Sequence, residues 1–239
     1  MKVYYDLHIH SVLSPCADDL MTPNHIVLMA KIKGLDLISV TDHNSTRNCR
    51  VVGELCEEAG LLFIPGIEVE TREGVHLLSY FESIDKAEYF GQWMESHLNP
   101  TKNNQNLFGN QWVMTSQDEV LEEYPWLLIQ STNLTCEEVV SYVHELGGVV
   151  IAAHINKPSN NIILNLGFIP KSLKLDGVEL NSYMEEQGNN KISHNVSSNL
   201  CLINSDAHSL GFINEPIYYL EVEGQKSMLV VFNYLRGGE

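Results

Sequence analysis

Short apolar runs alternate with amphipathic stretches along the front half of the chain. Residues 3–7 read as a strand ending at His8. Thr22-Pro23 then supplies an N-cap and a first-turn proline, and Ile26, Val27, Ala30 and Ile32 give a helix face that stops at Gly34. Residues 35–40 predict a second strand running into Thr41-Asp42-His43, followed by a helix through Val51, Val52, Leu55 and Ala59 that Gly60 closes. Residues 61–67 predict a third strand leading to Glu68, residues 75–81 a fourth, and residues 85–98 a helix.

The pattern lapses over residues 99–133, which are rich in Asn and Gln and carry Phe108, Trp112, Tyr124 and Trp126. This stretch is too short for a core of its own, so it reads as an irregular, partly helical insert in a single domain spanning 1–239. Regularity returns with the capping box Thr135-Cys136-Glu137-Glu138, a helix closed by Gly147, and a buried strand at 149–153 ending in His154. Further strands are expected at 175–180, 201–204 and 217–222, with a last helix near 226–235. Repeated strand–helix alternation predicts an α/β fold, either a parallel barrel or a doubly wound sheet.

Metal-binding residue types fall at the ends of these strands. His8 and His10 close the first, His43 follows the second, Glu68 the third and His154 the strand at 149–153, while Asp206 and His208 follow 201–204. His76 opens the fourth strand. In a parallel barrel the C-terminal strand ends converge on one face, so residues distant in sequence meet there. A spacing of two in an extended strand points His8 and His10 to the same side, which is a chelating arrangement. His25, His97, His144 and His194 lack such a context and read as surface or satisfied core residues.

Asp6-Leu7-His8-Ile9-His10-Ser11, Thr41-Asp42-His43-Asn44, Gly66-Ile67-Glu68-Val69, Ala153-His154 and Ser205-Asp206-Ala207-His208 together resemble the ordered motifs of the PHP (polymerase and histidinol phosphatase) domain. The resemblance implies a distorted (β/α)7 TIM-like barrel with a trinuclear metal site at the C-terminal ends of its strands. By motif, one metal would take His8, His10, Glu68 and Asp206. A second would share Glu68 and add His76 and His154. The third would take Asp18, His43 and His208, with Asp18 matched because it stands five residues before Pro23 and Asp19 as the competing choice. Two to three divalent ions of zinc, manganese or iron suit imidazole and carboxylate donors.

Such a site implies a metal-dependent phosphoesterase. Two ions sharing Glu68 can hold a bridging hydroxide as nucleophile, so no protein nucleophile is required. Lys157 is the candidate phosphate contact, with Arg47 as second choice, and Asn44 and Ser205 are expected to orient the ligands.

Charge narrows the substrate. With 14 basic against 31 acidic residues the net charge is −17, which argues against a nucleic-acid polymer and for a small phosphomonoester or nucleotide-like phosphodiester. A nuclease or proofreading exonuclease, or a non-catalytic metal-bound regulatory module, are the alternatives. Cys16, Cys49, Cys56, Cys136 and Cys201 form no CxxC pair and read as buried free thiols. The apolar runs are too short to span a bilayer and the start of the chain leaves no room for a signal peptide, so a cytoplasmic protein is expected. Oligomeric state is not encoded in any motif.

Overall fold

The computed structural model describes residues 1–186 and 200–237, so His194 lies outside the described residues. Strands β1 (Lys2–Ile9), β2 (Leu37–Val40) and β3 (Leu62–Phe63) run parallel in one sheet, with β11 (Tyr219–Glu221) antiparallel along β1. A second sheet has the order β10 (Cys201–Asn204), β9 (Gly177–Asn181), β8 (Val149–Ala152), β5 (His76–Tyr80) and β4 (Gly66–Glu70). Within it β8, β9 and β10 are parallel, whereas β5 runs against both β4 and β8.

The fold is therefore mixed α/β, and the hydrogen-bonded ladders do not close into the expected seven-stranded barrel. Two single bridges join the sheets instead, Ile9 to Ala207 and His43 to Glu68. The strand expected at 61–67 is also divided into β3 and β4, because Pro65 lacks the N–H a continuous ladder needs, although its carbonyl accepts from Phe81 N–H at 2.9 Å.

Helices cover the outer faces for the reasons the sequence suggests. Thr22 caps α1 (Pro23–Lys33), which ends at left-handed Gly34, and α2 (Cys49–Ala59) ends at Gly60. Ile26, Val27, Val52 and Leu55 from these two helices pack onto Ile9, Ile38 and Val40. Helices α3 (Ile84–Glu95) and α5 (Cys136–Glu145), the latter opened by the Thr135–Glu138 capping box, place Phe90, Met94, Val139 and Val143 over Ile67, Leu77 and Val150. Each such side chain, fully buried, is worth roughly 1.5–3 kcal/mol. No helix among the described residues is long and apolar enough to cross a membrane.

Residues 99–133 are more ordered than their composition suggests. They hold α4 (Gln105–Phe108) and an antiparallel ribbon of β6 (Trp112–Met114) and β7 (Val120–Glu123). Val113, Tyr124 and Leu128 pack on Leu13, so the aromatic and apolar residues serve to fasten the ribbon to the loop after β1. Trp112 N–H donates to the Val12 carbonyl at 3.0 Å, and Asn110 donates to Asp19 at 2.9 Å. Gly109, at φ +105°, lies so close to Pro15 that an added Cβ would stand 2.0 Å from its carbonyl oxygen.

That contact sets a stability prediction. Gly34 and Gly109 both have positive φ, but a Cβ at Gly34 meets nothing within 4 Å. Gly34→Ala should cost only the left-handed backbone term, about 1 kcal/mol in urea unfolding. Gly109→Ala should lose clearly more, roughly 2–3 kcal/mol, since backbone must also shift. Equal losses would mean that the insert does not press on the Pro15 loop.

Candidate metal centre

Topology gathers the strand-end residues. In β1, His8 and, just past its end, His10 project to one side, both fully buried. The Ile9–Ala207 bridge brings Asp206 and His208 alongside, and the His43–Glu68 bridge sets β2's continuation against β4. Because β5 is reversed, its first residue rather than its last reaches this end, and Glu70 pairs with His76 across the hairpin. His154 follows β8 by two residues. Four residues here have left-handed backbone, Asn44 (φ 49°), His154 (φ 28°), Asn160 (φ 54°) and Asp206 (φ 54°), so strain is concentrated where the polar side chains converge.

The distances have a specific form. His8 Nε2 lies 3.1 Å from His10 Nε2, and Asp206 Oδ1 lies 3.3 and 3.1 Å from these two atoms. Glu68 places one oxygen 3.3 Å from His8 Nε2 and the other 3.4 Å from His10 Nε2. Donor atoms around a tetrahedral ion with bonds of about 2.0–2.2 Å stand roughly 3.3–3.6 Å apart. The separations between the two imidazoles, and from each imidazole to Asp206 and to a Glu68 oxygen, match those edges within a few tenths of an ångström, with Glu68 offering a different oxygen to each ring. Their outer nitrogens are already engaged, His8 Nδ1 with both Glu179 oxygens at 3.0 Å and His10 Nδ1 with Ser14 Oγ at 3.0 Å. Each Nε2 lone pair is thereby aimed inward.

A second group surrounds the same carboxylate. Glu68 Oε1 is 2.8 Å from His76 Nδ1 and 3.0 Å from His154 Nε2, and Oε2 is 3.0 Å from His43 Nδ1. The last approach lacks hydrogen-bond geometry, and both atoms are buried with no hydrogen-bond partner among the described residues. Two such orphaned atoms facing each other are what a cation between them would satisfy. The residues present therefore fit divalent metal ions.

The third expected set is only partly assembled. The donor atoms of His10, His43 and His208 lie within 4.8 Å of one another. Asp18 stands apart. It is exposed, its carboxylate accepts from Leu20 N–H at 2.8 Å, and only its backbone N–H reaches His208, donating to the carbonyl at 2.8 Å. Asp19 is exposed as well and is bound to Asn110. Partial desolvation opposes ionisation of Cys16 on the same loop, but the His43 charge and hydrogen bonding with His208 and His43 draw its thiol down to about 6. The expectation of uniformly buried cysteines is thus corrected, since Cys16 and Cys201 are both exposed.

The remaining expected residues divide in two. Lys157 lines a cavity of about 110 Å³ with His43, Glu68, His76, His154 and His208, its ammonium 2.5 Å from Asp206 Oδ2. Arg47 does not line it. Its guanidinium is held by Glu95 at 2.8 and 2.9 Å and Glu122 at 3.0 Å, over the Tyr124 ring, and ties the insert to α3. Asn44 donates to the carbonyls of Leu128 and Gln130 and accepts from Glu70 N–H. Ser205 Oγ donates to Asp6 at 2.6 Å. His25, His97 and His144 are bound to Leu20 O, Trp93 O and Asp176, away from the cavity.

Sequence reasoning missed Glu179 and Asn160. Glu179 is fully buried in β9, where it also accepts from His154 N–H and Asn204. A glutamate within the apolar strand segment 175–180 was the available signal. Asn160 Nδ2 lies 3.0 Å from His76 Nε2, and nothing in its Asn-rich loop distinguishes it in sequence.

The charges are tightly linked. Burial alone would raise the Glu68 carboxyl, but the charges of His76, His8 and His43 hold it well below the usual range. Asp206 is likewise held low against burial, by His8, His10, His154 and Lys157. Burial, reinforced by His208 and His43, drives His10 well below an ordinary imidazole, whereas Glu179, Asp206 and Glu68 outweigh burial and lift His8.

No protein-family model matches the chain. Protein MJ1587 of Methanocaldococcus jannaschii is 29% identical over 199 residues, 80% of this chain and 88% of its own length. A 5'-3' exoribonuclease of Haemophilus influenzae is 29% identical over 81 residues, 33% of this chain and 28% of the relative. Among solved structures, the lesion-specific endonuclease EndoQ of Pyrococcus furiosus superposes with a TM-score of 0.71 at 23% identity, covering 99% of this chain and 56% of that one. Endonuclease Q bound to a 27-mer duplex with an abasic lesion at its active site gives 0.65 at 23%, covering 99% and 57%. A Bifidobacterium adolescentis protein, provisionally described as a metal-dependent phosphoesterase, gives 0.58 at 18% and covers 97% and 96%.

This chain spans just over half the length of the endonuclease chains it matches. The duplex complex of that similar structure overturns the argument, drawn from net charge, against a nucleic-acid polymer as partner. A charge summed over the whole surface does not fix the local potential at the cleft where a phosphate would sit. In fold the chain is similar to these solved structures.

Proposed function

We propose that the chain is a metal-dependent phosphoesterase that hydrolyses phosphodiester bonds in nucleic acid. The observation that carries this reading is the buried set of His8, His10, Glu68 and Asp206, in which each imidazole stands 3.1–3.4 Å from the other and from both carboxylates, continuous with a cavity that Lys157 lines. The endonuclease fold and the exoribonuclease relative favour a polymeric substrate. The small cavity, about 110 Å³, favours a terminal phosphomonoester or a small nucleotide diester as the competing substrate.

Two to three divalent ions of zinc, manganese or iron are the proposed cofactors. When bound, such ions supply an acidified water and offset charge on the phosphoryl oxygens. His8, His10, Glu68 and Asp206 would hold one ion, and Glu68 with His76 and His154 another. Lys157 offers three donors to a phosphate oxygen at the cavity wall. Glu179 fixes the His8 ring and its tautomer. The same reading takes β1, β2, β4, β5, β8, β9 and β10 as the staves of a distorted barrel opened at two seams. Residues 1–239 are then one domain with an insert at 99–133.

Metal content should be measured on protein purified without a histidine tag, followed by assay on labelled intact and abasic duplexes, single-stranded RNA, and p-nitrophenyl phosphate. Chelator-sensitive cleavage of an oligonucleotide, reduced to background by His8→Ala or Asp206→Ala, is the expected result. Turnover of the small ester alone would select the competing substrate. Failure to bind zinc, manganese or iron on reconstitution would overturn the reading.

Glu179→Gln should weaken the tightest metal site about 10- to 100-fold in competition with a chromogenic chelator, since an amide is a poorer partner for a ligating imidazole. Unchanged affinity would assign Glu179 to packing alone.

A further inference from the structure

Strand β4 ends in Glu68-Val69-Glu70, so alternation puts two carboxylates on one face. Glu70 pairs with His76 across the antiparallel hairpin, and the His76 ring stands between the two acids. Its Nδ1 lies 2.8 Å from Glu68 Oε1, and its Nε2 lies 3.6 Å from Glu70 Oε2. The residue is buried, so both ring nitrogens must be served from within the protein. An imidazole that gives one nitrogen to an ion carries its proton on the other. Nδ1 faces the central carboxylate, which makes Nε2 the nitrogen that needs an acceptor. His8 shows the same plan, with Nε2 at 3.3 Å from Glu68 and Nδ1 at 3.0 Å from Glu179.

We propose that Glu70 is a positioning residue for His76, its carboxylate accepting from Nε2–H and so holding Nδ1 toward the ion shared with Glu68 and His154. The inference rests on the metal-centre reading above and deepens it, by naming the partner of a second ligand and giving the end of the insert a task.

Glu70 is fastened from several sides. Ser131 Oγ donates to its Oε1 at 2.7 Å, which leaves Oε2 toward the ring. Its N–H donates to Asn44 Oδ1, and its carbonyl accepts from both the N–H and the hydroxyl of Thr132, each at 2.9 Å. Asn44 in turn donates to the carbonyls of Leu128 and Gln130. Residues 128–132, the close of the insert, therefore act as a buttress behind Glu70 and His76.

Asn160 is the other neighbour of the ring, with Nδ2 at 3.0 Å from Nε2. While an amide N–H donates to it, Nε2 has no proton to offer Glu70, which accounts for a separation just beyond a hydrogen bond. Coordination through Nδ1 exchanges the proton there for one on Nε2. The charged carboxylate is then the stronger of the two available partners.

The test is zinc affinity, measured on metal-free protein by competition with a chromogenic chelator. Glu70→Gln keeps an oxygen for Ser131 but removes the charge. It should weaken one ion about 10- to 100-fold and leave metal-free thermal unfolding unchanged. Ser131→Ala, which keeps the carboxylate and removes its anchor, should weaken the same ion less, about 2- to 10-fold. Proton NMR of the zinc-loaded protein supplies a second reading. An exchange-protected imidazole N–H should disappear in Glu70→Gln and persist in Asn160→Ala and Glu179→Gln. Unchanged affinity in Glu70→Gln, or a loss confined to Asn160→Ala, would overturn the Glu70 assignment and leave the metal centre standing. No zinc binding by the wild-type chain would overturn both.

Discussion

The Glu68 carboxylate is the constraint around which the molecule is arranged. Its backbone stitches the two sheets together, with Glu68 N–H donating to Asp42 O at 3.1 Å and Asn44 N–H to Glu68 O at 2.8 Å. Its side chain, fully buried, faces His8, His43, His76 and His154 at 2.8–3.3 Å. A lone carboxylate in such a place would cost several kcal/mol in lost hydration. Surrounding imidazoles offset that only by taking up protons, and His10 is driven down by burial first and by the neighbouring His208 and His43 charges after it. A divalent cation resolves both problems, because it neutralises the carboxylates and lets every imidazole stay neutral.

Around this centre lies a layer of buried acids that never reach the cavity. Asp6 is pushed up to about 6 by burial even though Asn214, Ser205 and His8 donate to it. Asp42 is raised in the same way against donors from Ser11 and Ser14. Both acids tie together loops that carry centre residues, Asp6 between β1 and the segment after β10, Asp42 between β2 and the loop after β1. Retaining buried carboxylates at such cost is reasonable where they fix geometry and add negative field around a cationic site.

Much of this centre was legible because strand periodicity is local. His8 and His10 share a face by alternation alone, and each strand followed by an acid or histidine delivered that residue to one end. Long-range information was missing elsewhere. Reversal of β5 and the opening of the sheets depend on pairing partners, which no single segment encodes. Lys157 and, as second choice, Arg47 were both candidate phosphate contacts in sequence, yet Arg47 is spent in an ion-paired strut and Lys157 lines the cavity. Asp18 matched by its distance from Pro23, but its carboxylate is exposed and accepts from Leu20 N–H instead of facing the imidazoles. Spacing fixes position along the chain and says little about direction within a loop.

Direction within the loops is also where strain is stored. Asn44, His154, Asn160 and Asp206 all hold left-handed backbone, a conformation that costs a non-glycine residue about 1–3 kcal/mol. Each also makes a contact at the centre or its rim: Asn44 to the insert, His154 N–H to Glu179, Asn160 to His76, and Asp206 to His8 and His10. Strained backbone and crowded like-signed groups both lower the stability of the metal-free chain. Ions that bind only the folded arrangement return that free energy, so affinity for metal and resistance to unfolding become one quantity. The arrangement that makes the cluster costly to fold without metal is the same one that makes it ready to receive it.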